Sequence, residues 1–303
     1  MKIAGHTMGT PEYSLPEAAR LFREIGMDGI EIVVEDGYKS ALPQTADLAA
    51  AEETAALLAD LRLETCCLTP YVSDFNSLDS AKRAKAESDL RIVLQYARIL
   101  RSPAIRIYGG TLIAGDTGGY DQKLDNLIDS MRRMGDEAAA AGATLALENH
   151  FSTMTVSATA TAMIVKKIDH PAVGALYDQA NLTFGQEEDW QTAMDLQKNL
   201  IRHVHVKDLV FKKPGARFVA TRVSDVNKED RAIASRIPGT GVVPWPRILD
   251  RLTREEGYEG WLSLEYERRW HPEDIPDASL GMRQGCAYVR GILDTLAMIA
   301  SAT

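Results

Sequence analysis

The sequence predicts one domain over residues 1–303, built as a closed (β/α)8 barrel. Three observations predict it. Short apolar runs alternate with longer segments of helical spacing along almost the whole chain. Glycine stands just past three of those helical segments. No low-complexity linker and no short-period repeat divides the 303 residues. A doubly wound open sheet shows the same alternation and is the structural competitor.

In chain order, the strands are KIAGHTM from Lys2, GIEIVV from Gly29, LETCCLT from Leu63 and AIRIYGG from Ala104. They continue with ATLALEN from Ala143, VGALYD from Val173, RHVHVK from Arg202 and WLSLEYE from Trp261. Eight strands are the number that closes such a barrel. Helical spacing lies between them, as in Leu90, Val93, Leu94, Ala97 and Leu100. The helix stops read REIGMDG, AAAAGAT and REEGYEG. One segment departs from the pattern. Residues 211–238 are polar, basic and without periodicity, which predicts an irregular insertion after the seventh strand, a lid or partner-binding loop against a plain surface excursion.

Side chains on a strand alternate between two faces. In LALENH, Leu145 and Leu147 suit the surrounding helices, which turns Glu148 and His150 toward the barrel axis. The same parity turns His6, Glu31, Glu35, Arg106, His203, His205, Lys207, Glu265 and Glu267 inward. Asp178 shares the parity of Leu176, near the end of its strand. Polar inward residues thus gather at the carboxyl ends of the strands, where barrel enzymes build their sites. Burying such charges unpaired costs several kcal/mol each. Ion pairs such as Arg106 with a neighbouring glutamate would satisfy a few of them. Glu148, Asp178, His205 and Glu265 together, three carboxylates and one imidazole, call for a divalent cation. Such a donor set suits Mn²⁺, Mg²⁺ or Co²⁺, and Zn²⁺ also accepts it.

The segments LALENH, ALYDQANL, RHVHVKD, IPGTGVVPWPRIL and GYEGWLSLEYE, in that order, resemble the xylose-isomerase-like TIM barrels. That superfamily includes sugar phosphate isomerases and epimerases, ketose 3-epimerases and inosose enzymes. The resemblance runs from Met1 to the last helix. It implies one divalent metal, Mn²⁺ first, held by Glu148, Asp178, His205 and Glu265. It also implies that Glu148 and Glu265 act as an acid/base pair on a keto-sugar. The chemistry is proton abstraction next to a carbonyl, with a Lewis acid stabilising the enediolate and a carboxylate taking the proton.

A second implication comes from His150, two residues beyond Glu148 on the same face and so about 6–7 Å farther along the strand. Such a Glu-x-His strand end, with GHTMGTPEY and GIEIVVEDGYKSALP, is similar to the α subunits of C-glycoside deglycosidases. Those act on 3-keto-glycosides by elimination, with histidine as base or acid, and have a small β-type partner subunit. His150 is therefore the third candidate catalytic residue. His6, Arg106, Trp270 and His271 are candidate substrate contacts. His203 competes with His205 as ligand, a capping role competes at Asp178, and Lys207 and Asp208 are expected to pair with each other.

Composition narrows the classes. The chain is 45% hydrophobic and 25% charged, with a net charge of -9, an ordinary globular composition without the basic surface that nucleic acid needs. Six histidines and this acidity disfavour an apurinic endonuclease, which shares the barrel but holds several zinc ions. Four intact ligand positions disfavour a barrel that serves only as structure. The cysteines at 66, 67 and 286 have no CxxC spacing, and Cys66 and Cys67 are too close for an ordinary bridge. MKIAGHTMGT has no continuous apolar h-region, and no run of about 18 apolar residues occurs. A cytoplasmic oligomer acting on a small sugar or glycoside, with no nucleic-acid or membrane partner, is expected.

Overall fold

The computed structural model describes residues 1–113, 118–215 and 231–302. Eight parallel strands close into a barrel: β1 (Lys2–His6), β2 (Gly29–Val34), β3 (Glu64–Pro70), β4 (Ala104–Ile107), β5 (Thr144–Glu148), β6 (Val173–Tyr177), β7 (Ile201–Val206) and β8 (Trp261–Leu264). Each strand pairs with its sequence neighbours, and β1 pairs with both β2 and β8, which seals the ring and removes the edges an open sheet would leave. All eight strands predicted from the sequence are present. A two-residue strand, Ala41–Leu42, adds to the end of β2.

The parity argument explains where the core lies. Ile30, Ile32, Leu145, Leu147, Val204, Val206, Leu262 and Leu264 are fully or almost fully buried between the barrel and its helices. There they meet side chains of the surrounding helices, α1 (Leu15–Ile25), α2 (Leu48–Leu61), α3 (Ser80–Leu100), α4 (Tyr120–Ala141), α5 (Ala158–Ile168), α6 (Gln179–Gly185), α7 (Trp190–Gln197) and α8 (Trp245–Arg254), such as Phe22 of α1 and Leu90 of α3. Inside the barrel, Ala4, Cys66, Cys67 and Ala104 form a separate small-residue plug with Trp261 packed on it. These residues lie toward the start of their strands, and the polar residues lie toward the end. All three cysteines are free and buried.

Helix ends follow local chemistry. α1 opens on a capping box between Ser14 and Glu17 and closes on Gly26 at φ 89°. α4 (Tyr120–Ala141) closes on Gly142 at φ 76°. The third expected stop differs. α8 (Trp245–Arg254) ends at Glu255, and Gly257 turns the chain two residues later.

The insertion expected at 211–238 is in part regular. Asp208–Phe211 and Ile233–Arg236 pair as an antiparallel ribbon, while residues 216–230 lie outside the described residues. The lid or partner-loop reading of that segment therefore falls largely on residues the structure does not describe. A four-residue strand reading IASR carries too little alternation to announce itself.

Asp208 organises the turn that follows. Its two carboxylate oxygens accept the backbone N–H groups of Leu209, Gly239, Gly241 and Val243 at 2.9–3.0 Å. A Cβ at Gly241 would stand 2.2 Å from Asp208 Oδ1, so PGTG supplies a backbone that can close on the carboxylate. Asp208 thus does not pair with Lys207, contrary to expectation. Its oxygens face turn amides, and the Lys207 ammonium lies against three other carboxylates.

Candidate metal centre

Four strand ends bring their polar side chains to one place. Glu148 is the last residue of β5, His205 lies near the end of β7, and Asp178 and Glu265 follow β6 and β8 directly. One ligand atom from each lies within 4.8 Å of the others, and all four residues are buried. His205 Nδ1 stands 3.1 Å from Glu265 Oε2, 3.3 Å from Glu148 Oε1 and 3.9 Å from Asp178 Oδ2.

Asp178 caps a helix with one oxygen and turns the other toward the cluster. Its Oδ1 accepts the Asn181 backbone N–H at 2.9 Å and caps α6 (Gln179–Gly185). Its Oδ2 turns into the cluster, 2.9 Å from Lys207 Nζ. Asn181 also donates its amide to Glu148 Oε1 and Asp178 Oδ2.

The charges are crowded. Of the buried carboxylates here, Glu148 pairs with Arg106, and Asp178 and Glu265 pair with Lys207, while Glu31 meets histidines. Burial alone raises the Glu148 carboxyl, but Arg106, at 2.6 Å from Oε2 through both Nε and Nη2, carries it down to about 2. Burial raises Glu265 too, and Lys207 and His205 outweigh it. Asp178 is pushed up to about 7 by burial, against Lys207 and with the repulsion of Glu265 and Glu148. Lys207 lies 2.8 Å from Glu265, 2.9 Å from Asp178 and 3.2 Å from Glu267, and these carboxylates hold its ammonium well above its ordinary range despite burial. Strand parity placed Lys207 inward, and the three carboxylates are its partners there in place of Asp208.

The donor set fits a divalent ion. Glu265 Oε2 is buried and lacks a partner in hydrogen-bonding geometry, although two cationic groups are near it. Glu148, Asp178 and His205 converge near that oxygen, so the site offers three carboxylates and one imidazole, which matches the oxygen-rich preference of Mn²⁺ and Mg²⁺.

A cavity of about 640 Å³ opens over this cluster. Glu265, His150, Arg106, Lys207, Trp270 and His271 line it. Arg106 packs flat against Tyr108, its guanidinium carbon 3.3 Å from the ring centre. His150 stacks on Phe151 and meets the edge of Tyr108. Its Nδ1 lies 2.7 Å from the Phe151 carbonyl, which can only accept. Nδ1 therefore carries the proton, and Nε2 keeps its lone pair. Burial pushes the His150 imidazole down to about 4 against the pull of Glu148. Trp270 anchors its indole N–H on Met8 Sδ at 3.1 Å.

His6 is placed differently from the expectation of a substrate contact. It is fully buried and not in the cavity wall; its Nδ1 accepts the Met8 backbone N–H and its Nε2 faces Glu31 at 3.5 Å. Parity gave the face correctly but not the depth. His203 also lies deep, 2.9 Å from Glu31, and away from the four-residue cluster. Glu35 stands beyond the end of β2 and is partly exposed.

A family model described as xylose isomerase-like TIM barrel matches residues 19–290. An inosose dehydratase of Geobacillus thermodenitrificans is 30% identical over 152 residues, 49% of this chain and 48% of that protein. The chain spans about half the length of the curated relatives it matches. Among solved structures, a D-tagatose 3-epimerase-like protein superposes with a TM-score of 0.76 at 18% identity, covering 99% of this chain and 100% of that one. A 3-keto-D-glucoside 4-epimerase from E. coli superposes at 0.72 with 17% identity, over 96% of this chain and 99% of that one. At these identities the structural likenesses show a shared fold.

Proposed function

The chain belongs to the xylose isomerase-like TIM barrels, and from that premise we propose a divalent-metal-dependent enzyme that removes a proton next to the carbonyl of a keto-sugar or keto-glycoside. The observation that carries this reading is the convergence of Glu148, Asp178, His205 and Glu265 beneath the cavity. These four would hold the ion. When bound, a divalent ion supplies a Lewis acid that lowers the cost of negative charge on the carbonyl oxygen.

The chain's own groups supply the rest. Glu265 reaches the cavity and takes the proton. Glu148, clamped by Arg106 as the ionised carboxylate, is the second member of the acid/base pair; in an epimerisation one of the two carboxylates takes the proton and the other returns one that it has first taken up from solvent. Lys207 holds Asp178 and Glu265 in place by its ammonium. Tyr108, Phe151 and Trp270 give the sugar apolar faces to lie against and exclude water. That structural neighbours include epimerases of D-tagatose type and of a 3-keto-glucoside supports a carbonyl-bearing sugar substrate.

A second reading shares the first step and ends in elimination. It is favoured by the free Nε2 of His150 in the cavity wall, and by relatives named as dehydratases. Cleavage of a 3-keto-glycoside with a β-type partner subunit is the form of this reading that the Glu-x-His strand end resembles.

Incubation of Mn²⁺-loaded protein in D₂O with a free ketose and a 3-keto-glycoside, followed by metal removal and proton NMR, tests both. Deuterium entering the ketose beside its carbonyl, with an isomer, supports the first reading. Release of aglycone supports the second. No exchange and no release from any ketose or keto-glycoside of a broad panel would overturn both.

His150→Ala separates the steps further. Elimination is expected to slow by about 10²–10⁴-fold, the usual worth of a positioned acid or base, while metal stoichiometry stays that of the wild type. Loss of metal in this variant would make His150 a ligand instead.

A further inference from the structure

We propose that Glu31, on β2, is the positioning residue that fixes which nitrogen His205 presents to the metal; this rests on the metal reading of the four-residue cluster. Glu31 is fully buried below that cluster and is not one of its members. The pairing of β2 with β3 shifts register between Ile30 and Glu31, so Glu31 faces Cys67. Such an irregularity re-aims a side chain that a regular strand would point elsewhere.

Both Glu31 oxygens end on imidazole Nε2 atoms. Oε1 lies 3.1 Å from His205 Nε2 and also accepts the Thr69 hydroxyl. Oε2 lies 2.9 Å from His203 Nε2. A carboxylate only accepts, so the His205 contact requires a proton on Nε2. The other nitrogen, Nδ1, faces the carboxylates of Glu148, Asp178 and Glu265, and an ion bound among them would take the place of the Nδ1 proton and meet its lone pair. A carboxylate on the far nitrogen of a ligating histidine sets its tautomer and ring orientation and raises its basicity. Glu31 does this from outside the ligand set, while His203 and Thr69 hold Glu31 itself.

The competing role is plain charge balance, with Glu31 present only to neutralise buried histidines. The two roles differ in what His203 does. Under the positioning role, His203→Gln leaves the Glu31–His205 contact in place and metal affinity unchanged. Under charge balance, Glu31→Gln and His203→Gln move metal affinity alike.

The experiment titrates metal-free protein with Co²⁺ by calorimetry and follows the d–d absorption of the bound ion, which reports ligand geometry independently of turnover. Wild-type protein should bind one Co²⁺. Glu31→Gln should bind about 10–100-fold more weakly, with an altered d–d band. His203→Gln should keep the wild-type affinity and band. If Glu31→Gln does not fold, Glu31→Asp retains the charge but withdraws it by one methylene, and is expected to weaken Co²⁺ binding and shift the band in the same direction. Wild-type affinity and spectrum in whichever Glu31 variant folds would overturn the proposal, as would equal losses in the Glu31 and His203 variants. Wild-type protein that binds no Co²⁺ would instead remove the metal reading on which it stands.

Discussion

Glu148→Gln is expected to lower turnover by about 10²–10⁴-fold, the range for loss of a positioned proton-transfer group, and to empty much of the metal site. The substitution preserves shape and removes charge. It also strips Arg106 of its counter-ion. That guanidinium is 2% exposed and held at 2.6 Å from Glu148 Oε2 through two nitrogens. An uncompensated buried charge costs about 3–5 kcal/mol. At roughly 2 °C per kcal/mol for a chain of this size, Tm should fall by about 6–10 °C. Metal analysis, steady-state kinetics and thermal unfolding read the three effects separately. The double variant Arg106→Met with Glu148→Gln should recover much of the Tm and none of the turnover, because it removes the stranded cation but not the need for the carboxylate. Full metal-dependent turnover in Glu148→Gln would sink the assignment of this residue.

Lys207→Met should have the second largest effect, and its size depends on metal. The Lys207 ammonium sits within 3.2 Å of Asp178, Glu265 and Glu267. Removing it leaves those carboxylates facing one another in a buried space. The metal-free variant should therefore melt about 6–10 °C below metal-free wild type, again by the cost of an unpaired buried charge. Saturating Mn²⁺ should restore more stability to the variant than to the wild type, since the ion replaces part of the lost positive charge. Turnover should still fall, because Lys207 lines the cavity as well. A Tm in EDTA equal to that of wild type would show that Lys207 does not hold these carboxylates together.

Much of the fold was legible because period-2 alternation is a direct record of two faces. Leu145 and Leu147 against Glu148 and His150 is such a record, and so is Val204 and Val206 against His205 and Lys207. The structure places these residues on the faces that alternation assigns them. Other features left no such mark. IASR pairs as a ribbon strand because Asp208–Phe211 happens to lie beside it, and nothing in four residues states that neighbour. Lys207 read as a partner for Asp208 because they are adjacent in sequence. Side chains adjacent on an extended chain point apart, so Lys207 met the carboxylates at the strand ends and Asp208 met the amides of the turn at 239–243.

Parity also gives direction without depth. His6, His203 and His205 all face inward, yet His205 alone joins the four-residue cluster, while His6 and His203 sit lower around Glu31. The local sequence of each strand thus determined that a barrel forms and which side chains enter it. Only closure of the ring decided at what height each one stands, and so which carboxylates meet His205 Nδ1 and which one meets Nε2. The reason is physical. Face is set within one strand by backbone geometry, whereas height is set by the register between strands that lie far apart in the chain.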